Sequence, residues 1–374
     1  MCPSLFLPLA ALAVLGSSGA AAPAPTVALL PFENLSASSG APAELSPLVA
    51  AGLRAKGWTV VEGPAIESAL DAARVRYVDS LGPAARTQIA ATAAASALAL
   101  GAVYAFDEGA DPRVSVALRL VSADGRVLFS DLVALRGADG RGLFESDRVV
   151  TRGELSREAA RRLCRRLPSP GAPAVSPGNR ARPLHAARVR TFRAAALDRG
   201  SRHRVAILPF ANAGPHEAAR IVAEILARRL ASSALFDPVE PADFRAAIIE
   251  EKIRDLSDPA ALSRLGARLG TPLFLTGTIY EFAEPAQALS GTPRLEMEAT
   301  LTDVSTGRVV WTSYASRRGT DYRGLLELGA ITSVIGLADQ SAAEMVRAAE
   351  KAAPTNEPPA PRTASSGAKR KDSR

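Results

Sequence analysis

One short segment occurs twice in the chain, and this repeat limits the possible folds more than any other feature of the sequence. The segment reads TVALLPFEN at residues 26–34 and RVAILPFAN at residues 204–212. Both copies are apolar runs that stop at a proline, which lacks a backbone N–H and therefore ends a strand ladder. Repetition on this scale predicts that the chain builds the same structural unit twice.

A second pair of matching segments extends the repeat over most of the chain. ALALGAVYAFDE in the first half matches LFLTGTIYEFAE in the second, with Gly101 opposite Gly277 and Tyr104 opposite Tyr280. Apolar residues at helical spacing precede each segment, and alternating apolar residues around a glycine turn follow it, as in a β-hairpin. The patterns predict the order β-α-β-α-α-β-β-β-α in each copy. The expected fold class is therefore α/β (α+β): two tandem repeats of a mixed β-sheet packed with helices.

The first residues are typical of an export signal. Leu5–Leu15 is an apolar run, and small residues follow it as far as Ala22. A run of this length is too short to span a bilayer as a helix, but it fits the apolar region of a secretory signal. We therefore expect export to the bacterial periplasm, with the mature protein either soluble there or peripheral to a membrane.

These patterns divide the chain into a targeting segment, two folded units and two polar segments. The linker and the tail are assigned from composition, because segments rich in proline, glycine, serine and charged residues do not form a packed core. The parts are a signal peptide at 1–22, a first α/β repeat at 26–167, a Pro/Gly/Arg-rich basic linker at 168–203, a second α/β repeat at 204–350 and a disordered basic tail at 351–374.

The positive charge is concentrated in two segments. The net charge is +7, yet residues 165–204 hold ten arginines against one acidic residue, and residues 351–374 hold six basic residues against two acidic ones. The folded parts are accordingly mildly acidic, so we expect no sequence-specific binding of nucleic acid. Two interpretations of 165–204 stay open: contact with anionic lipid or another envelope polyanion, and a solvated spacer.

Three segments together resemble a family of bacterial envelope proteins. They are VAxLPFxN in both halves, LGTPLFLTGTIYEF at 269–282 and STGRVVW at 305–311. The chain is similar to a group that includes the curli-secretion lipoprotein CsgG, the amino-terminal domain of TolB and lipoprotein activators of penicillin-binding proteins. The similarity covers residues 204–349 well and 26–166 less well. It implies an α/β module that binds or assembles envelope components without catalysis, and it carries over no functional residue.

The channel-forming members of this group extend their strands into membrane-crossing hairpins. Such a hairpin needs about twenty residues of alternating character. The corresponding connections here are only residues 283–292 and 109–111. This difference disfavours a CsgG-type secretion component, which stays as an alternative.

Motifs of catalysis are missing from the sequence. The loops after Pro31 and Pro209 lack the glycines of a phosphate cradle, so a structural role in ending the strand is favoured over a ligand loop. The segment HEAAR at 216–220 lacks the second histidine of a zinc helix, and no serine lies in G-x-S-x-G. We therefore predict no enzyme, no catalytic, cofactor-binding or metal-binding residue, and no cofactor.

Two local features have both a structural and a functional interpretation. Asp107, Glu108 and Asp111 form an acidic loop that is either a solvated hairpin end, which we favour, or a calcium site, although their spacing matches no calcium loop. Cys164 is the lone cysteine after removal of a signal that contains Cys2. It is expected as a small buried residue, with a reactive or dimer-linking thiol as the alternative.

The sequence therefore predicts a non-catalytic binding or assembly module of the cell envelope, an adaptor or scaffold whose partner is an envelope protein of unknown identity. An enzyme with a site between the two domains is the alternative, using distant acids such as Asp107 and Glu281. The helical segment 325–346, with Leu325, Leu328 and Ile331 on one side, is either a core helix or a surface for self-association.

Overall fold

The computed structural model describes most of the two predicted repeats. The predicted signal segment, most of the linker and the tail beyond residue 352 lie outside the described residues. The described residues are 25–78, 81–109, 111–140, 151–170, 189–193, 197–198, 200–213, 215, 217–284, 291–324 and 329–352.

The first half forms a mixed sheet with helices on both faces. Strand order is β3-β1-β4-β5-β6, with β2 beside β4; β1 runs parallel to both neighbours, while β4, β5 and β6 are antiparallel. The elements are β1 Thr26–Leu29, β2 Glu33–Asn34, α1 Ala41–Ala55, β3 Thr59–Val61, α2 Pro64–Ala72, α3 Pro83–Thr92, β4 Ala97–Asp107, β5 Arg113–Ser122, β6 Val127–Arg136 and α4 Arg152–Arg165.

The second half has the same succession of elements, with one additional strand at the edge of its sheet. Strand order is β10-β8-β11-β12-β13-β7, with β9 beside β11. The elements are β7 Arg190–Arg193, β8 His203–Ile207, β9 Ala211–Asn212, α5 Ala218–Ala231, β10 Phe236–Pro238, α6 Pro241–Glu250, α7 Pro259–Leu269, β11 Leu273–Ala283, β12 Arg294–Asp303, β13 Arg308–Arg318 and α8 Val334–Ala352.

These two mixed sheets confirm the predicted fold class. The predicted order of elements is present in each half, together with the short strands β2 and β9, which sequence patterns had not indicated. The interpretation of the two halves as copies of one unit, with the boundaries given above, stays a prediction.

Proline and glycine determine where several helices begin and end. Proline occupies the first positions of α1, α2, α3, α6 and α7. Proline suits this position because its φ angle is already helical and the first-turn N–H has no partner within the helix. Helix α7 ends at Gly270, whose φ of 68° is left-handed and favours glycine.

Each sheet is covered by helices on both faces. In the first half α1 and α4 pack on one face, and α2 and α3 pack on the other. In the second half the corresponding pairs are α5 with α8, and α6 with α7. Each half therefore has two apolar layers, which is the arrangement expected when both faces of a sheet are apolar.

A phenylalanine ring lies over a glycine in each sheet. Phe32 and Phe210 are buried just beyond β1 and β8, and an added Cβ at Gly101 or Gly277 would overlap the respective ring. The two "LPF" segments thus end a strand and cover the sheet, as predicted. Glycine is required opposite each ring because the ring approaches the backbone of the next strand directly.

Part of the basic segment 165–204 is folded, an outcome in addition to the two interpretations that the sequence left open for it. Arg190–Arg193 forms β7, which pairs antiparallel with β13. Arg202 donates to the carbonyl of Phe236, and Arg166 pairs with Asp131 at 2.9 Å. These arginines serve contacts within the chain; most of the proposed polyanion-binding segment lies outside the described residues.

The last helix also differs from the prediction. Helix α8 begins at Val334 rather than Leu325, and residues 325–328 lie outside the described residues. Its apolar side chains, Leu337, Ala338 and Met345 among them, are buried in the second core. The described part of the helix therefore packs within the chain, and its apolar side is not available for self-association.

Cys164 is buried on α4, as the structural interpretation predicted. Its side chain packs against Gly52 of α1, where a Cβ would overlap the sulfur. Burial raises the pKa of the thiol to about 11. The thiol is thus protonated at neutral pH, which disfavours the reactive alternative. Within the described residues, no helix has the length and apolarity needed to cross a membrane.

Candidate binding cleft

Helix α5 belongs to both halves. One side packs on the second sheet together with α8, while the other side lies on the first sheet against Ala102, Ala117 and Leu132. Nearly every residue from Ile221 to Leu230 is buried as a result. A helix that is buried on all sides links the two halves through apolar contacts, so the halves are not independent domains on a flexible linker.

A buried ionic cluster accompanies this helix. Asp131 of β6 is 1% exposed and accepts from Arg228 of α5 at 3.2 Å and from Arg166 at 2.9 Å. Arg228 also pairs with Asp339 of α8. Burial lowers the pKa of Arg228 to about 10, although Asp131 opposes this change. Arg228 is thus a buried cation whose charge depends on carboxylates from both halves.

Two further ion pairs join the first half to α6 and the residue before it. Arg119 lies 3.2 Å from Glu240, and Arg86 lies 2.6 Å from Asp243. Burial raises the pKa of Glu240, while Arg119 lowers it. The junction between the halves is therefore held by charged pairs as well as by apolar packing.

The two tyrosines that the sequence aligns have different environments, because Tyr104 contacts α5 whereas Tyr280 is exposed. Tyr104 is 6% exposed, and its hydroxyl donates to Glu224 Oε2 at 2.6 Å. Burial and then Glu224 raise the pKa of Tyr104 well above its ordinary value. Tyr280 in the second sheet is 48% exposed and donates to Glu298 at 3.2 Å. The hydrogen bond from Tyr104 of the first half thus holds the Glu224 side chain of the second half in a fixed position.

Beside this junction lies a cleft with a volume of about 820 Å³. Its size falls in the range of sites that bind small molecules or a few residues of a peptide. It is lined by Asn34, Leu35, Ser36, Ile207, Pro209, Phe210, Asn212, Glu217, Ala219, Arg220, Ala223, Glu224, Val239, Pro241, Phe244, Arg245 and Ile248.

The cleft lies where strand connections diverge. It opens at the carboxyl ends of β8 and β10, between the first turns of α5 and α6. The chain leaves β8 through α5 on one face of the sheet and leaves β10 through α6 and α7 on the other. Open α/β sheets commonly bind ligands at such a switch point. Helices α5 and α6 form two sides of the cleft, and residues 34–36 of the first half form a third side.

The chemistry of the cleft is apolar at the base and polar at the walls. Ile207, Val239 and Phe244 are buried at its base. Glu217 immediately precedes α5, Arg220 and Glu224 come from α5, and Arg245 comes from α6. Apolar area with a few placed polar groups is suited to recognition, since the apolar part supplies affinity and the polar groups fix orientation.

The acidic residues singled out from the sequence lie elsewhere, each beside an arginine. Asp107 pairs with Arg113 at 2.7 Å, and Asp111 with Arg136 at 2.5 Å. Glu108 lies 3.1 Å from Arg152, and Glu281 lies 3.1 Å from Arg294. Within the described residues, no group of three or more histidine, cysteine, aspartate or glutamate side chains is placed to hold a metal ion. Asp107 and Glu281 do not line the cleft.

Sequence reasoning missed the cleft, although two signals pointed to it. Arg220, Glu224 and Arg228 recur every four residues on a helix whose other residues, apart from Arg229, are apolar, which indicates a second buried side. Pro209 and Phe210 were predicted as structural residues only. They do end the strand, but they also line the cleft.

Comparison with known proteins gives likenesses of fold alone. Neither a protein-family model nor a curated protein matches the chain. The PelC dodecamer structure from Paraburkholderia phytofirmans is 22% identical, with a TM-score of 0.30, and the match covers 42% of this chain and 94% of that one. The LpoB C-terminal domain from Salmonella enterica is 17% identical, with a TM-score of 0.25, covering 30% of this chain and 82% of that one.

TolB, named in the sequence resemblance, is also among the similar structures. The protein from Acinetobacter baumannii is 17% identical, with a TM-score of 0.21, covering 44% of this chain and 32% of that one. Each of these matches spans less than half of the present chain. They assign it no activity, ligand or partner, and the resemblance to CsgG stays a prediction.

Proposed function

We propose that the chain is a non-catalytic binding module of the bacterial cell envelope, which holds a partner protein in the cleft between its two halves. The observation that carries the proposal is the cleft itself, because its apolar base and few polar groups suit recognition of a chain segment.

The fixed junction supports a binding role. A cleft between two mobile domains would have to be ordered on binding, at a cost in conformational entropy. Here Arg119, Arg86 and Arg228 hold the first half to α5 and α6 through ion pairs. The cleft is therefore formed before the partner arrives. Export to the periplasm remains part of the proposal and rests on the apolar run at 5–15.

Site-specific photo-crosslinking in native cells tests the proposal. A photoreactive phenylalanine replaces Ile248 in the cleft wall, and in a control chain it replaces Val309 of β13, which is 37% exposed. We expect a discrete crosslinked envelope protein from position 248 and none from position 309. Equal products from both positions, or none from 248, would contradict the proposal.

A blocking variant and mass spectrometry complete this test. Ala219→Trp places a bulky side chain at the cleft and should abolish the crosslink from position 248. The enzyme alternative predicts a different result: native mass spectrometry would find a bound small metabolite that Ala219→Trp displaces, without a protein partner.

A further inference from the structure

We infer that the partner segment carries a cationic group beside its apolar residues, and that Glu224 is the residue that receives this group. The inference rests on the proposed function, since it concerns the same cleft. It follows from the position of one carboxylate, the state of its two oxygens and the charges of the two walls.

Glu224 is buried, yet it lines the cleft. It lies on α5 with 8% exposure. Its Oε2 accepts the hydroxyl of Tyr104 at 2.6 Å. Because Tyr104 is itself buried in the first sheet, this hydrogen bond fixes the orientation of the carboxylate. A fixed, desolvated carboxylate binds a donor more tightly than a mobile one at the surface.

The second oxygen of Glu224 has capacity for a donor. Oε1 is buried and makes no hydrogen bond with the described residues. Arg220 Nε lies 3.7 Å from Oε1, within the range of an ion pair but beyond hydrogen-bond distance. Arg220 is also paired with Glu33 of the first half. A buried carboxylate oxygen without a hydrogen bond is unfavourable, and an ammonium or guanidinium group from a ligand removes that cost.

The other charges bear on the side at which a cation binds. On the wall formed by α5, Arg220 is paired with Glu33, and Glu217 lies exposed at the opening. Arg245 lies on α6, which forms the opposite wall. Between the walls lies the apolar base of Ile207, Val239 and Phe244. A segment that spans the cleft therefore has its apolar part on the base and its cationic group towards α5.

Simple amphiphiles test the charge preference on the full chain. Octylammonium, octanol and octanoate share an apolar body and differ only in the charge of the head group. We expect titration calorimetry at low salt to give octylammonium a dissociation constant about tenfold lower than that of octanol, as a charge-assisted hydrogen bond provides. Octanoate should bind most weakly. Equal or stronger binding of octanoate would overturn the inference.

Two matched variants locate the effect. Glu224→Gln keeps the size of the side chain and an acceptor for Tyr104, and it should bring octylammonium to within about threefold of octanol. Glu158→Gln, on α4 and outside the cleft, should leave the preference intact. A preference that persists in Glu224→Gln would overturn the assignment of the cation to this residue. The comparison of three probes on the unmodified chain stands even if a variant fails to fold.

The titration with amphiphiles and the crosslinking experiment can fail independently of each other, so the cation inference and the proposed function are tested separately. A specific crosslink from position 248 without an octylammonium preference removes the cation inference and leaves the binding module. An octylammonium preference that depends on Glu224, without any protein crosslink, supports this charge selection and removes the protein partner.

Discussion

Asp131→Ala should lower the free energy of unfolding by about 3–5 kcal/mol, the cost of removing one partner from a buried ion pair. Asp131 is 1% exposed and holds both Arg228 and Arg166. Without it, Arg228 stays buried between the two sheets, and among the described residues its remaining ion pair is with the Asp339 carboxylate of the second half. Arg166 is half exposed and can turn to solvent, so most of the effect comes from Arg228.

Urea unfolding of the variant and of a control chain measures this effect. Glu158→Ala serves as the control, because Glu158 also contacts two arginines, Arg161 and Arg162, but those side chains are 65% and 45% exposed. Surface pairs contribute at most about 1 kcal/mol, so Glu158→Ala should change stability little. Equal losses in the two variants would mean that burial of Asp131 is not the cause.

Gly277→Ala should destabilise the second half by about 1–3 kcal/mol or more, the range for overpacking a core. An added Cβ would overlap the ring of Phe210 and the carbonyl oxygen of Glu298. The ring cannot move aside easily, since it is buried over the sheet, and the carbonyl belongs to the neighbouring strand β12. Either the ring or the strand must therefore shift.

Gly153→Ala is the matched control for this substitution. Gly153 lies in the first turn of α4, and no atom lies within 4 Å of the position of its Cβ. Alanine there should be neutral or stabilising by up to about 1 kcal/mol, because it favours the helix more than glycine does. Thermal unfolding compares the two, and a Gly277→Ala chain as stable as Gly153→Ala would show that the Phe210 ring is not tightly packed.

The fold could be predicted from sequence because its signals are local. Alternating residues around Gly125 and Gly307 identify the hairpins, and both turns have the left-handed φ that glycine allows. Proline and helical periodicity identify most helices. Strand β7 was missed because its four residues lie in a segment whose composition is that of a linker, and only its pairing with β13 makes it a strand.

The cleft could not be predicted because it depends on how the two halves meet. Residues 34–36 and α6 are far apart in sequence, and no local pattern states that they form two sides of one cleft. The contrast between Tyr104 and Tyr280 has the same origin, since Tyr104 is buried beside Glu224 of α5 whereas the aligned Tyr280 is exposed. The charged residues Arg220, Glu224 and Arg228 on α5 can be recognised in the sequence. Their role becomes clear only when the first sheet, which they face, is known.

The central claim is that α5 makes the two halves one structural unit with the cleft at their junction. Differential scanning calorimetry of the full chain tests it most directly. We predict a single transition whose calorimetric and van't Hoff enthalpies agree, and which Asp131→Ala shifts as a whole to lower temperature. Two resolved transitions, of which Asp131→Ala shifts only one, would contradict the claim and leave two independent domains.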